Sequence, residues 1–333
     1  MSSAKKLAER LTSVEKILRD TPVVRLEDDT VELYAKLEFL NGIGSIKDRP
    51  ALWVLKGAIE RGEVGPDTTI IESSSGNFAL ALAAFCRMLE LDFIPVIDPN
   101  ISALYEASLR SQCARVVKVE ERDDSGGFLK TRLAAVRKLR EEFPDSYWPN
   151  QYENVDAMHA HYHVTAEQII RNAPPLDYVF LGVSTGGTLS GISQRLKEHQ
   201  PSVKIIAVDA EGSVIFGHPP KKRWIPGLGS SITPPLVGRA IVDEVLIVPE
   251  VDTIAGCHEL LDRHALFAGG STGTSYSAIR RYFGTRPQHA RPRVLFLCCD
   301  RGTPYLDTIY DARWAQWRAT VDLPVREAEL AHA

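Results

Sequence analysis

The chain has 333 residues, 44% of them hydrophobic, and a formal charge of −4 from 39 Lys and Arg against 43 Asp and Glu. That length and apolar content suit a large buried core, arranged as two domains or one large α/β unit. The small charge and scattered basic residues exclude an electrostatic footprint for nucleic acid or an anionic membrane, and no apolar run approaches membrane-spanning length. Five cysteines, at 86, 113, 257, 298 and 299, lack metal-ligand spacing and are odd in number, so neither a zinc site nor a disulfide framework is expected. A reducing cytoplasm is the compartment this usage suits.

Taken in chain order, the N-terminus leads into an amphipathic stretch rather than an apolar export signal. A strand is expected over 31–39. It is followed by a glycine-rich turn (Asn41, Gly42, Ile43, Gly44, Ser45) that places Lys47 against the start of a helix. An amine held there shifts its pKa readily and can condense with an aldehyde, of which pyridoxal phosphate is the commonest among cofactors. By itself Lys47 also reads as the start of a solvated helix face. Further strands are expected over 69–72, 93–97, 116–119, 178–183, 203–208, 245–248 and 294–298, and helices over 77–88, 103–112, 127–142, 155–170, 187–199, 253–264 and 274–283. This alternation predicts an α/β fold with parallel sheets flanked by helices, and the break near 143–149 predicts two lobes. The basic run Lys221, Lys222, Arg223 reads as a solvated loop, Cys298 and Cys299 as buried strand residues, and the tail 325–333 as a fraying end.

Two of these strands end in small-residue turns that open directly into helices, where free N–H groups and the helix dipole attract anions. The first turn is Ser73, Ser74, Ser75, Gly76, Asn77, Phe78, and the second is Ser184, Thr185, Gly186, Gly187, Thr188. Each alone is also ordinary capping vocabulary. Neither reads G-x-G-x-x-G and neither carries Gly-Lys-Ser/Thr, which counts against dehydrogenase and NTPase readings. In a third turn, 268–273, Ser271 offers a hydroxyl suited to a heteroaromatic nitrogen. A neutral partner leaves such a nitrogen largely unprotonated and favours elimination and replacement at Cβ over transamination. His159, His161 and His163 alternate, with no further metal ligand evident, and are read as structural.

Ser45 to Arg49, Ser74 to Asn77, Asn150 to Asn154, Ser184 to Thr188, Gly270 to Gly273 and Asp300 to Leu306, in this order and spacing, resemble the cysteine synthase and cystathionine β-synthase family of fold type II pyridoxal phosphate enzymes. The likeness spans about 21–306. It implies a large cofactor-binding domain, 1–44 and 150–333, a small mobile domain, 45–149, and pyridoxal 5′-phosphate between them. It further implies that Lys47 carries the cofactor as a Schiff base and that Asn77 bonds its 3′ oxygen. Ser184, Thr185, Gly186, Gly187 and Thr188 would cradle the phosphate, Ser271 would meet the pyridine nitrogen, and Ser74, Ser75, Gly76, Asn77 and Phe78 would clamp a substrate carboxylate.

Within the family, the stretches 126–132, 147–152, 208–217 and 267–273 are similar to a branch that joins O-phospho-L-serine and L-glutamate on the way to 2,3-diaminopropionate for siderophores. There, positions matching Arg132, Tyr152 and Ser184, with Gln151 beside them, select the substrates, and an arginine fork suits a phosphate or a second dicarboxylic amino acid. The resemblance also implies a homodimer acting on small molecules without a metal. Two departures stand out: Gly42 takes the place of a proline, and Phe78 that of a threonine common in cysteine synthases. A cysteine or cystathionine synthase, a serine or threonine dehydratase, and a non-catalytic binding protein remain open alternatives.

Overall fold

A computed structural model describes residues 3–123, 126–284 and 291–321. Its strands are β1 (Val23–Leu26), β2 (Glu32–Leu37), β3 (Thr69–Ser73), β4 (Phe93–Ile97), β5 (Val117–Lys118), β6 (Ser146–Tyr147), β7 (Tyr178–Gly182), β8 (Lys204–Ala210), β9 (Glu244–Val248) and β10 (Arg293–Cys298). They form a six-stranded sheet, ordered β1-β2-β10-β7-β8-β9, and a four-stranded sheet, ordered β5-β4-β3-β6. Only the β1–β2 pairing is antiparallel. The near-continuous burial of β3, β4, β8 and β10 follows from this, because a parallel strand covered by helices is buried on both faces.

The helices are α1 (Ser3–Val14), α2 (Asp48–Glu60), α3 (Asn77–Leu89), α4 (Ala103–Gln112), α5 (Leu129–Glu142), α6 (Val155–Ala160), α7 (Glu167–Asn172), α8 (Gly187–His199), α9 (Glu250–His264), α10 (Gly270–Gly284) and α11 (Ala312–Thr320). The smaller sheet's core includes Leu52 and Leu55 of α2 and Leu82 and Phe85 of α3, and α1 adds Leu7, Leu11 and Val14 to it. The larger sheet is covered on one side by a core containing Phe180, Tyr276 and Phe296 and on the other by one containing Leu181, Leu189 and Leu295. Strand alternation explains this split, since Phe296 and Leu295 are neighbours on opposite faces of β10.

All eight expected strands are present. β1 and β6 were not anticipated: β1 is a short edge strand, and the two residues of β6 gain their extended form only by pairing with Thr69 and Ile70. α11 was likewise missed, and the expected fraying of 325–333 lies outside the described residues. α10 begins at Gly270, so Ser271 sits in a first helical turn rather than in a loop. The glycines that suggested a turn there serve close packing instead. A Cβ on Gly273 would lie 2.3 Å from Cys257 Sγ, and one on Gly256 2.5 Å from the Gly273 carbonyl, so α9 and α10 touch backbone to backbone. The helix expected over 155–170 is continuous through α6 and α7 but contains a π-helical stretch, His161–Ala166.

Candidate active site

Lys47 is presented by a tied-down turn. Gly44 takes φ +122°, a conformation that glycine adopts freely. Asp48, the first residue of α2, accepts the backbone N–H groups of Ile43 at 2.7 Å and Gly44 at 3.1 Å. The Ile46 N–H donates to the Cys299 carbonyl at 2.8 Å, which fixes the turn to the end of β10. Burial holds the Lys47 amine below its ordinary pKa, opposed by the electrostatic pull of Cys299 and Asp300.

Behind this turn lies a fully buried ion cluster. Arg49 Nε donates to Glu38 Oε2 at 2.6 Å, and its Nη2 reaches Glu38 Oε1 at 3.0 Å and Gln168 Oε1 at 2.7 Å. Lys36 lies 3.5 Å from the same carboxylate. Burial opposes the charge on Glu38, yet Arg49 and Lys36 carry its carboxyl down to about 2, while burial takes Lys36 to about 8 against the pull of Glu38. The cluster locks α2, and with it Lys47, to β2.

The second turn forms the N-terminus of α8. Gly186 takes φ +90°, and a Cβ there would lie 2.7 Å from the Val237 backbone nitrogen. The first amides of a helix have no intrahelical partners, so this glycine floor offers N–H groups and a positive dipole end to an anion. Thr188 Oγ1 lies 3.2 Å from His161 Nε2, and His161 Nδ1 lies 2.9 Å from Thr165 Oγ1. Burial first, then the Lys47 charge, pushes His161 down to about 3, so its imidazole is neutral. His161 lines the cleft while held between Thr165 and Thr188. Among the described residues no group of three His, Cys, Asp or Glu is arranged to hold a metal ion.

One cleft brings Lys47, Phe78, Gln151, Thr185 and Thr188 together with His161. Phe78, only 2% exposed, supplies an apolar wall where a threonine would supply a hydroxyl. Asn77 opens α3 and reaches both ways: its Nδ2 donates to Asp300 Oδ2 at 2.7 Å, and its Oδ1 accepts from Tyr105 OH at 2.5 Å. Ser75 Oγ bonds Asp98 at 3.1 Å and accepts from Arg132 Nη1 at 3.0 Å, and Arg132 lies 3.2 Å from Asp98. Ser74 is buried beside them and Gly76 precedes α3 in an extended conformation. Ser184 Oγ donates to the Gly229 carbonyl at 3.2 Å. Burial pushes the Cys299 thiol up to about 12, weakly opposed by the neighbouring Ser271, and so renders it inert. Cys299 is thus a residue of the site, one position beyond the strand expected to contain it.

Gln151 and Tyr152 follow β6, where buried Glu72 accepts the Gln151 N–H at 3.4 Å and the Trp148 indole at 3.2 Å. Burial raises the Tyr152 hydroxyl; Arg132 pulls it down, as more weakly does Arg223, while Glu72 and Asp98 push it up. Arg223 is not the solvated residue expected. Its Nη1 donates to the Gly212 carbonyl at 2.6 Å and it is half-buried, whereas Lys221 and Lys222 are exposed. His161, Tyr105, Asp300 and Arg223 are the residues of this region to which sequence reasoning assigned no role. Asp300 carried a signal as part of a recognisable run, whereas His161 and Arg223 stood in runs read as structural and as solvated, and Tyr105 carried none.

A lysine with a lowered pKa, a glycine-floored helix N-terminus and a primary amide share one cleft at the ends of parallel strands. These are the parts of a site for a phosphorylated aldehyde. Residues 14–300 match the family described as pyridoxal-phosphate dependent enzyme, and the chain belongs to that family. It is a fold type II enzyme of that family and pyridoxal phosphate is its cofactor. The chain is 42% identical over 308 residues to the N-(2-amino-2-carboxyethyl)-L-glutamate synthase of Cupriavidus metallidurans, covering 91% of this chain and 90% of that one. It is 42% identical over 309 residues to the enzyme of the same name from Ralstonia nicotianae, with the same coverage. Among solved structures it is similar to the O-acetylserine dependent cystathionine beta-synthase of Helicobacter pylori, with a TM-score of 0.82, 28% identity, and 89% of this chain and 97% of that chain covered.

Proposed function

We propose that this enzyme joins O-phospho-L-serine and L-glutamate by β-replacement, giving N-(2-amino-2-carboxyethyl)-L-glutamate and phosphate, a step toward 2,3-diaminopropionate and siderophores. The observation that carries the reading is the Arg132 guanidinium, half-buried beside Ser75 of the substrate loop and within the electrostatic reach of Tyr152. A planar, always charged fork suits a phosphate ester or a dicarboxylate far better than it suits sulfide. The 42% identity to two synthases of that name supports the same substrates.

Bound pyridoxal phosphate supplies an electrophilic carbonyl carbon for the substrate amine and a ring that draws electrons from Cα. In this reading Lys47 Nζ holds the cofactor, takes the proton from substrate Cα, and later returns one to the same carbon. Burial favours the neutral amine that this work requires. Ser184, Thr185, Gly186, Gly187 and Thr188 hold the cofactor phosphate, Asn77 donates to the ring oxygen, and the neutral Ser271 hydroxyl meets the ring nitrogen. Ser74, Ser75, Gly76 and the Asn77 amide take the substrate carboxylate while Phe78 keeps water out. Arg132, Gln151, Tyr152 and Ser184 select the anionic groups of the two substrates.

The division of the chain into a base of 1–44 and 150–333 and a mobile lobe of 45–149 belongs to the same proposal. Helix α1 is the exception within 1–44: its Leu7, Leu11 and Val14 pack into the smaller sheet's core, so it would travel with the mobile lobe. A cytoplasmic homodimer is the assembly we propose. No helix among the described residues is long and apolar enough to cross a membrane.

The H. pylori neighbour favours a second reading, a sulfur nucleophile in place of the glutamate amine. Mass spectrometry of the products from O-phosphoserine offered with glutamate, sulfide and homocysteine separates the two. The glutamate adduct should dominate, and cysteine or cystathionine as the main product would overturn the proposal.

A further inference from the structure

The Asn77 amide is held from both sides of the cleft. Tyr105, from α4 beside the smaller sheet, donates its hydroxyl to Oδ1, and Asp300, just beyond β10 of the larger sheet, accepts from Nδ2. The chemistry of the partners sets the orientation, because a carboxylate only accepts and so the amide nitrogen must face Asp300. Asp300 is itself fixed. It is 3% exposed, accepts from Tyr305 OH at 3.0 Å, and its backbone carbonyl accepts the Gly269 N–H at 3.0 Å. A Cβ on Gly269 would lie 2.1 Å from Asp300 Oδ1, so the carboxylate is packed against bare backbone. An Asn amide has two Nδ2 hydrogens. One is used on Asp300, and the other has no partner in a hydrogen bond among the described residues.

We infer that Asp300 is a positioning residue for the cofactor ring oxygen, acting through Asn77 by fixing the amide so that its second Nδ2 hydrogen donates to that oxygen. The inference rests on Asn77 contacting the cofactor and is independent of which substrates the enzyme joins. A charge-assisted hydrogen bond buried in this way is strong enough to decide a side-chain orientation. It also crosses from one sheet to the other, so the same bond that aims the amide sets the spacing of the cleft at the cofactor.

The test is a double-mutant cycle read by cofactor affinity, with pyridoxal phosphate titrated into the apo forms of the wild type, D300A, N77A and N77A/D300A, and unfolding midpoints of the same apo proteins recorded alongside. D300A and N77A should each weaken binding about tenfold or more, and the double variant should bind no more weakly than N77A. D300N keeps an acceptor for Asn77, so it should fall between the wild type and D300A; if D300A does not fold, the N77A/D300N cycle replaces it. Unchanged affinity in D300A or D300N, or a full additional loss on the N77A background, would overturn the inference. A lowered apo midpoint with unchanged affinity would reduce Asp300 to a structural role and overturn it equally. Correct affinities with the wrong reaction product would instead overturn only the function proposed above.

Discussion

Asp48 Oδ2 accepts the Ile43 N–H at 2.7 Å, which closes the turn that carries Lys47 onto the first residue of the helix that follows. Burial holds the Asp48 carboxyl up at about 6, partly offset by its hydrogen bonds to the turn. Removing it leaves the N–H groups of Ile43 and Gly44 without that partner. D48A should therefore cost about 1–3 kcal/mol in urea unfolding and lower catalytic turnover as well, since a loosened turn misplaces Lys47.

Glu72 predicts a pH dependence. Burial raises its carboxyl from 4.5 to about 7, against the hydrogen bonds from Trp148, Ser73 and Gln151. Because the folded-state pKa is raised, the contribution to stability is fully present below about 4.5 and is lost as pH rises through about 7. E72Q has no such titration. The stability difference between the wild type and E72Q should shift toward E72Q by on the order of 1–3 kcal/mol between pH 5 and pH 8, measured by thermal or urea unfolding. A difference flat across that window would contradict the assignment.

At Gly186 a side chain has no room and the wrong backbone. The new methyl of G186A would lie 2.7 Å from the Val237 nitrogen, at φ +90°. The expected outcome is a folded protein with pyridoxal phosphate affinity lowered about tenfold or more, since the floor of the proposed phosphate cradle must shift. Titration of the apo protein checks it.

Arg132 should act on specificity more than on chemistry. R132K keeps the charge but loses the fork, and it should raise the KM for O-phosphoserine or glutamate about tenfold while changing kcat less. Steady-state kinetics with each substrate varied in turn decides it, and equal losses in kcat and kcat/KM would assign Arg132 to the transition state instead.

Much of this architecture is legible in the sequence because parallel strands advertise themselves. The runs at 93–97 and 294–298 are apolar at every position, and the turns at Ser73 and Ser184 join strand to helix with small residues that singly read as capping but together mark two anion-friendly helix starts. Lys47 is visible for a local reason, its place at a glycine-rich turn. What escaped depends on distance in the chain. Tyr105 and Asp300 matter because both meet Asn77, 28 and 223 residues away, and nothing in their own neighbourhoods says so. Arg223 lay hidden in a basic run whose two lysines are solvated, and only the Gly212 carbonyl distinguishes it. β6 has no pattern of its own, and His161 faces Thr188 because α8 packs closely against the π-helical stretch. Tertiary packing made these assignments, and no window of local sequence contains it.

Lys47, as the proposed anchor of the cofactor, carries the chemistry on which every other assigned role depends. Borohydride reduction of the purified holoenzyme, followed by proteolysis and peptide mass spectrometry, should place the pyridoxyl mass on the peptide containing Lys47 and leave K47A unlabelled and without cofactor absorbance. The label on another lysine, or a K47A variant that retains both label and β-replacement activity, would contradict that role.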